Sequence, residues 1–161
     1  MRTLTLMRHA KSSWDDSALG DHERPLNNRG RKAAKIMAQR LYAEHYSPDL
    51  VLVSSALRTQ QTAAALQKAY DGRLVLQTEP LLYEASSGTY AEVIRRVDDA
   101  VESLMIIGHN PTIAWMAEAM GGRAYRMPTA SYIRFRIPGS WAEFRFERFE
   151  TLAYDYPKSD K

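Results

Sequence analysis

Short apolar runs alternate along the first half of the chain with longer segments whose apolar residues recur at helical spacing. Residues 3–7 and the run LVLVS at residues 50–54 predict strands, and the unbroken apolar character of the second run is typical of a strand covered on both faces. Residues 32–46 and 57–70 predict helices. The order is therefore strand, helix, strand, helix, and Asn27 or Asn28 would cap the first helix.

The same order continues through the middle of the chain. Residues 73–77 and 104–108 predict two further strands, and residues 90–101 and 112–120 predict two further helices. Because a strand that follows a crossover helix returns parallel to the strand before it, this alternation predicts a mostly parallel central sheet with helices on both faces. The expected fold is a three-layer α/β/α arrangement.

The pattern changes to a period of two near the end of the chain. Residues 132–137 (YIRFRI) and 142–149 (AEFRFERF) alternate apolar with charged positions, and Pro138 and Gly139 lie between them. This arrangement predicts a C-terminal antiparallel hairpin at the edge of the sheet. The residues from about 154 onward are polar and are expected to form a frayed tail.

Length and composition fit a single globular domain. The chain has 161 residues, of which 45% are hydrophobic and 25% are charged, so one domain over residues 1–161 is expected. The opening MRTLTLMRHA is too short and too charged for a signal peptide or a membrane span, which predicts a cytoplasmic protein. The absence of cysteine excludes disulfides, thiolate metal ligands and cysteine catalysis.

The basic residues are scattered along the sequence. The formal net charge is +3, yet no stretch forms a block of five or more basic residues. Surfaces that bind nucleic acid usually present a continuous basic stripe with aromatic platforms, so neither nucleic acid nor a membrane is an expected partner. A local anionic ligand explains the arginines better.

Polar side chains with related chemistry follow three of the predicted strands. Arg8 and His9 follow the first strand, Ser54 and Arg58 follow the second, and His109 follows the fourth. In open α/β sheets the ligand crevice lies beyond the carboxyl ends of the strands. We therefore expect two histidines and two arginines to converge there.

These side chains suit the capture of a dianionic phosphoryl group. A guanidinium offers a planar fork that matches two phosphate oxygens, and an imidazole can be a neutral nucleophile near neutral pH. Asn110 is expected to cap the following helix with Pro111 as its first residue, so that the helix N-terminus adds backbone donors. One histidine would attack phosphorus while the other holds an oxygen.

Four stretches, in order along the chain, resemble the motifs of the histidine phosphatase superfamily. RHAKSSW at residues 8–14 is similar to the Arg-His-Gly signature, and RPLNNRG at residues 24–30 is similar to the Pro-Leu-Thr-x-x-Gly helix entry. SALRTQQT at residues 55–62 is similar to the second arginine motif, and GHNP at residues 108–111 to the second histidine motif. The short chain and the Arg-Pro-Leu form of the second motif look most like the SixA-type subgroup of phosphohistidine phosphatases.

The resemblance implies a catalytic role for each matching side chain. His9 would be the nucleophile that becomes phosphorylated, while Arg8 and Arg58 would clamp the phosphoryl oxygens. His109 would complete the pocket. Glu84, in the segment LYE, matches the acid that some members supply, with a surface ion pair as its alternative role. The reaction so implied uses neither a metal ion nor another cofactor.

Three residues in or near these motifs depart from the family pattern or have a second interpretation. Ala10 replaces the usual glycine, and Asp15 stands where the mutases of the superfamily have a phosphate-binding asparagine. A carboxylate that faces a dianion is repulsive, so we expect Asp15 to turn away or to pair with a basic neighbour. Arg24, in the polar loop DHER, is a candidate substrate-binding residue, with a solvated loop as the alternative.

The sequence favours a phosphatase that forms a covalent phosphohistidine on His9. The expected partner is a phosphorylated substrate, either a phosphohistidine protein or, as the second choice, a small phosphate ester. A mutase fits less well because the connections look too short for a lid that excludes water. A non-catalytic phosphate-binding module is a further alternative, whereas a zinc site at His9 and His109 lacks paired carboxylates and HxxxH spacing.

Overall fold

A computed structural model of the protein describes residues 1–159, which contain a six-stranded sheet and four α-helices. The strands are β1 (Arg2–Arg8), β2 (Leu50–Val53), β3 (Leu76–Thr78), β4 (Ser103–Gly108), β5 (Tyr132–Ile137) and β6 (Thr151–Asp155). The α-helices are α1 (Asn28–Ala43), α2 (Leu57–Ala69), α3 (Ser87–Arg95) and α4 (Thr112–Gly121). Short 3₁₀ helices lie at Asp21–Glu23, Pro80–Leu82 and Trp141–Glu143.

The sheet has the strand order β3-β2-β4-β1-β5-β6. The first four strands in this order pair parallel, because helical crossovers join them. β5 pairs antiparallel with β1 on one side and with β6 on the other. The predicted α/β fold, with a mostly parallel sheet and an antiparallel pair at its edge, is confirmed.

The central strands carry buried apolar side chains on both faces. In β1, Leu4 and Leu6 belong to the core cluster that holds the buried residues of α3 and α4, whereas Met7 belongs to the cluster of α1 and α2. β4 divides in the same way, with Ile106 in the first cluster and Ile107 in the second. Successive side chains of a strand point to opposite faces, so the helices lie in two pairs on either side of the sheet.

Helix α1 begins at the predicted cap but earlier than its apolar pattern indicated. Asn27 is the N-cap, and its Oδ1 accepts a hydrogen bond from the N–H of Gly30 at 2.7 Å. The polar first turn therefore belongs to the helix, which the apolar period alone placed at residues 32–46. A Cβ on Gly30 would overlap the carbonyl oxygen of Lys11, so glycine lets α1 pack against the loop that follows β1.

Two shorter elements differ in position from their predictions. Helix α3 begins three residues before the predicted range 90–101 and ends at Arg95, inside that range. Its early start follows from the cap, because the Ser86 hydroxyl accepts a hydrogen bond from the N–H of Thr89 at 3.3 Å. Strand β3 lies later than the predicted residues 73–77 and is exposed along its length at one edge of the sheet.

The prediction of a strand at residues 142–149 is wrong, because the partner of β5 lies at Thr151–Asp155. In the mispredicted segment, Phe144 is buried in the core, and the ring of Phe149 stacks on it with 6.0 Å between centroids. The charged residues between these rings remain exposed. The alternating pattern therefore reflects aromatic packing on the core rather than pairing between strands.

The predicted frayed tail is also wrong for residues 154 and 155, which belong to β6. Arg40 of α1 holds the chain beyond this strand: its Nη1 donates to the Asp155 carboxylate at 3.3 Å and to the carbonyl of Tyr156 at 3.0 Å. Residues 160 and 161 of the predicted tail lie outside the described residues.

None of the helices described within residues 1–159 is long and apolar enough to cross a membrane. Helix α1 has 16 residues, and its sequence NRGRKAAKIMAQRLYA is rich in charge.

Candidate active site

Three neighbouring strands, β2, β4 and β1, end at the same edge of the sheet. In the β1–β4 ladder Arg8 pairs with Gly108, so His9 and His109 follow at the same level. These side chains line a pocket of about 340 Å³ together with Arg58. The pocket is completed by residues from the adjoining loops, namely Lys11, Ser12, Trp14, Arg24, Asn110 and Thr129.

The ring of His9 is held in one tautomer. Its Nδ1 lies 2.7 Å from the carbonyl oxygen of Ala10, and since a carbonyl can only accept, Nδ1 carries the proton and Nε2 carries the lone pair. The residue is 7% exposed. Burial lowers the pKa of His9 to about 3; the nearby charge of His109 and of Arg58 acts in the same direction, and the Ala10 hydrogen bond opposes it. His9 is therefore neutral at physiological pH.

His109 lies beside His9, with 5.2 Å between the ring centroids. Its Nε2 is 2.7 Å from the hydroxyl oxygen of Ser54, and its backbone N–H donates to the hydroxyl of Tyr90 at 3.2 Å. Burial, followed by the positive charge of Arg58, lowers the pKa of His109 to about 4. The buried Nδ1 of this ring has no hydrogen-bond partner among the described residues.

Arg8 at the end of β1 and Arg58 in the first turn of α2 are both anchored by backbone carbonyls. Arg8 donates from Nη1 to the carbonyl of Met127 at 3.1 Å, and Arg58 donates from Nη1 to the carbonyl of Asp21 at 2.8 Å. Burial and the charge of Arg58 lower the pKa of Arg8. Within residues 1–159 both Nε atoms are buried and without a partner, as is Nδ1 of His109. Buried polar groups are normally hydrogen-bonded, and these three belong to residues that line one pocket, which suits an anion with several oxygens.

The carboxylate of Asp21 joins residues from three separate segments. Its Oδ1 accepts from Nε of Arg24 at 3.1 Å, and its Oδ2 accepts from Nη2 of Arg58 at 3.1 Å and from the hydroxyl of Tyr83 at 2.6 Å. The hydrogen bond from Tyr83 contributes most to lowering the pKa of Asp21 to about 2, with the two arginines acting in the same direction. Sequence reasoning missed this residue; the only signal was an aspartate three positions before an arginine.

Arg24 is buried, so a solvated loop is the wrong interpretation of its position. Its Nη1 donates to the hydroxyl of Ser12 at 2.7 Å, and its guanidinium carbon lies 3.4 Å from the centre of the Trp14 ring. Trp14 itself is 76% exposed and forms the rim of the pocket. Arg24 thus connects the pocket floor with its rim.

Glu84 and Asp15 do not line the pocket. Glu84 adopts a left-handed backbone conformation with φ of 51°, and its carboxylate interacts with the hydroxyl of Tyr83, whose pKa is raised by burial and by the carboxylates of Asp21 and Glu84. Asp15 is exposed, and its backbone N–H donates to the Ser13 hydroxyl at 3.1 Å.

The N-terminus of α4 offers fewer donors than the sequence indicated. Pro111 is the N-cap rather than the first helical residue. The N–H of Ile113 donates to the carbonyl of His109 at 3.0 Å, and the N–H of Ala114 donates to Oδ1 of Asn110 at 3.2 Å. Asn110 does cap the first turn, but these bonds satisfy the helix internally. The N–H groups of Ile113 and Ala114 are therefore not available to a ligand.

The described residues contain no metal-ligand constellation. Across residues 1–159, no three histidine, cysteine, aspartate or glutamate side chains lie close enough together to hold a metal ion. The donors that line the pocket are mainly cationic or hydroxyl groups, which favour an anionic ligand.

The sequence is similar to a known protein family and to individual proteins from other organisms. The sequence matches the histidine phosphatase superfamily (branch 1) over residues 4–105. An uncharacterized protein of Mycobacterium tuberculosis is 34% identical over 148 residues, which cover 85% of this chain and 90% of that protein. An uncharacterized chloroplastic protein of Arabidopsis thaliana is 33% identical over 152 residues, which cover 88% of this chain and 70% of that protein.

Solved structures share the fold over nearly the whole chain. A crystal structure assigned to the phosphohistidine phosphatase SixA from Agrobacterium tumefaciens is similar with a TM-score of 0.82 at 30% identity, over 97% of this chain and 98% of that chain. The structure of the protein histidine phosphatase SixA complexed with tungstate gives a TM-score of 0.81 at 21% identity, over 96% of this chain and 97% of that chain.

Proposed function

The chain belongs to the histidine phosphatase superfamily, and we propose that it is a phosphohistidine phosphatase that acts on phosphorylated histidine side chains of proteins. Phosphatase activity follows from the family, and the similarity to a protein assigned as SixA supports the substrate class. The observation that carries the proposal is the hydrogen bond from Nδ1 of His9 to Ala10, which leaves Nε2 free to react in a pocket lined by cationic donors.

In the first step, Nε2 of His9 attacks phosphorus in line with the bond that breaks. The new bond is P–Nε2, and the bond that breaks joins phosphorus to the nitrogen of the substrate ring. The pKa of about 3 keeps the His9 lone pair available at neutral pH. Because Nδ1 is still protonated, the phosphorylated ring is a cation, and its N–H points at the carbonyl of Ala10.

During transfer, Arg8, Arg58 and His109 stabilise the phosphoryl oxygens. We assign this task to the two Nε–H groups and to Nδ1 of His109, which have no other partner among residues 1–159. Nδ1 carries a proton in the tautomer whose Nε2 accepts from the Ser54 hydroxyl. Since His109 is neutral, with a pKa near 4, it donates one hydrogen bond without adding charge, and the arginines supply the positive field. Donors fixed before the reaction begins are the main source of catalysis in such sites.

In the second step, a water molecule attacks phosphorus and the P–Nε2 bond breaks. The electron pair returns to Nε2, and His9 leaves as a neutral imidazole because Nδ1 has kept its proton. One proton of the water passes to the phosphate that is released. The same Ala10 carbonyl therefore prepares His9 as a nucleophile in the first step and as a leaving group in the second.

The departing group determines whether an acid is needed. A phosphohistidine ring that is protonated on its other nitrogen leaves as neutral imidazole without help, whereas an alkoxide must be protonated as it leaves. Glu84 lies beside Tyr83 and outside the pocket lining. This position supports a substrate that supplies its own proton, and we assign Glu84 no essential role with phosphohistidine.

The test compares the rates at which phosphohistidine and phosphoserine peptides of the same sequence are hydrolysed, with p-nitrophenyl phosphate as a third substrate and with a chelator added in parallel. We expect kcat/KM to be at least about tenfold higher for phosphohistidine and unchanged by the chelator. Equal or faster hydrolysis of the small ester would identify a phosphomonoesterase instead. Binding without turnover would identify a phosphohistidine-binding module.

A further inference from the structure

A second and larger cavity continues from the candidate active site. It is a groove of about 820 Å³ between the first half of α1, the segment at residues 123–129 and the chain from Tyr154 to Lys158. Lys11 and Thr129 line both the groove and the catalytic pocket. Any substrate that extends beyond its phosphoryl group on this side must therefore enter the groove.

We call this cavity the basic groove because six cations that are distant from one another in the sequence line it. All of these cations are exposed, and no aspartate or glutamate lies in the lining. Across residues 1–159 none of the ion pairs within 4.0 Å involves them. The cations are Lys11, Arg29, Lys32, Arg123, Arg126 and Lys158.

Aromatic and apolar side chains lie between these cations. Ile36 is 42% exposed on the α1 wall, and the centre of the Tyr125 ring lies 4.2 Å from the guanidinium carbon of Arg123. The hydroxyl of Tyr154 donates to the carbonyl of Arg126 at 2.6 Å, which fixes the segment that carries this arginine. Such walls accommodate the aliphatic parts of a bound chain while the cations hold its charged ends.

We propose that the basic groove binds an acidic segment of the phosphoprotein next to the phosphorylated histidine. One extra phosphate of a small substrate would engage two or three donors, whereas six separate cations on four chain segments suit several carboxylates spaced along a polypeptide. This inference rests on the proposed function. It adds that the enzyme selects its substrates by the charge around the histidine as well as by the histidine itself.

The experiment uses two phosphohistidine peptides of equal length, one with glutamates on both sides of the histidine and one with glutamines. With the wild-type chain we expect kcat/KM to be about tenfold higher for the acidic peptide at low ionic strength, and the preference to fade between about 0.05 M and about 0.5 M salt. In the variant Lys32→Glu with Arg126→Glu, kcat/KM for the acidic peptide should be equal to or lower than kcat/KM for the neutral peptide.

A matched control separates the groove from overall charge. Lys35→Glu with Lys68→Glu changes the net charge equally at two exposed positions outside the groove lining, and it should keep the preference for the acidic peptide. Equal rates for both peptides in the wild type, or an equal loss in the control, would overturn the inference while leaving the proposed function intact. No hydrolysis of either peptide, with p-nitrophenyl phosphate still cleaved, would overturn the proposed function and the inference together.

Discussion

The carbonyl oxygen of Ala10 lies 2.7 Å from Nδ1 of His9, and this backbone contact decides which nitrogen of the ring carries the lone pair. The carbonyl belongs to the residue next in sequence, so the tautomer is set by local backbone geometry and needs no carboxylate partner. A carboxylate in this position would raise the basicity of the ring more strongly. The carbonyl lets His9 combine a defined tautomer with a pKa of about 3.

The first prediction concerns the covalent intermediate. His9→Gln should lower kcat/KM by about a thousandfold or more and abolish an acid-labile, alkali-stable phosphate label on the quenched enzyme. His22→Gln is the matched control, because the His22 ring bonds the Ser55 hydroxyl at 2.9 Å outside the pocket lining. A label that persists in His9→Gln, measured by rapid quench and intact-mass spectrometry, would contradict the assignment.

The second prediction concerns Asp21, which we assign as a positioning residue. Asp21→Asn leaves two buried guanidiniums without their counter-ion, so the free energy of unfolding should fall by about 1–3 kcal/mol. Inorganic phosphate should then stabilise the variant more than the wild type, because the bound anion replaces the missing charge. Urea unfolding with and without phosphate measures both effects.

Glu23→Gln is the control for this experiment, since Glu23 lies in the same short 3₁₀ helix and is exposed. It should change neither the free energy of unfolding nor the phosphate effect by more than about 0.5 kcal/mol. If phosphate stabilises Asp21→Asn and the wild type equally, Asp21 does not govern the charge at the pocket.

The third prediction concerns pH and stability. Burial lowers the pKa of His9 to about 3 and of His109 to about 4, from the ordinary value of 6.5. Between the lowered pKa values of the folded protein and 6.5, the unfolded chain binds more protons than the folded protein. The free energy of unfolding therefore falls as the pH falls below about 6.5. His109→Gln should reduce the slope between about pH 6 and about pH 5 by about 1 kcal/mol per pH unit, below the limit of about 1.4 for one whole proton. Urea denaturation at several pH values measures this slope. A slope that His109→Gln leaves unchanged would contradict a neutral His109 in the folded protein.

The fourth prediction concerns the leaving group. Glu84→Gln should change kcat/KM for a phosphohistidine peptide by less than about twofold, because the substrate imidazole carries its own proton. Alkyl phosphates should be poor substrates for both proteins. A tenfold or greater loss with phosphohistidine would show that Glu84 supplies a proton or holds Tyr83 in an essential position.

The fifth prediction concerns the support beneath His109. A Cβ on Gly108 would overlap the hydroxyl of Tyr90, which accepts the His109 N–H and donates to the carbonyl of Leu82 at 3.3 Å. Gly108→Ala should therefore destabilise the protein by about 1–3 kcal/mol, and by clearly less in a Tyr90→Phe background. Strict additivity in this double-mutant cycle would show that the hydroxyl is not the obstacle.

The sequence predicted those parts of the site that follow directly from strand order. His9, Arg58 and His109 come after strands whose apolar runs are unmistakable, and parallel strands end at one edge. The Asn27 cap was visible for a similar reason, because a side chain that bonds three residues ahead leaves a local pattern.

Contacts between distant segments left no such pattern. The partners of Asp21 include Arg58 and Tyr83, which are far apart in sequence, and nothing in either segment identifies the aspartate. The false strand at residues 142–149 has the opposite cause: Phe144 and Phe146, two positions apart as in a strand, both pack on the core. Local periodicity does not distinguish these two ways of burying alternate residues.

The pairing of Arg8 with Gly108 in the β1–β4 ladder also determines which changes in sequence the pocket can accommodate. The relative placement of the two imidazoles is inherited largely from backbone hydrogen bonding inside the sheet, whereas the surrounding loops line much of the rest of the pocket. Insertions in those loops can reshape what enters the pocket without disturbing the chemistry, whereas a slip of one residue between the two strands would turn a histidine to the opposite face. Selectivity and reactivity can therefore diverge independently in this scaffold.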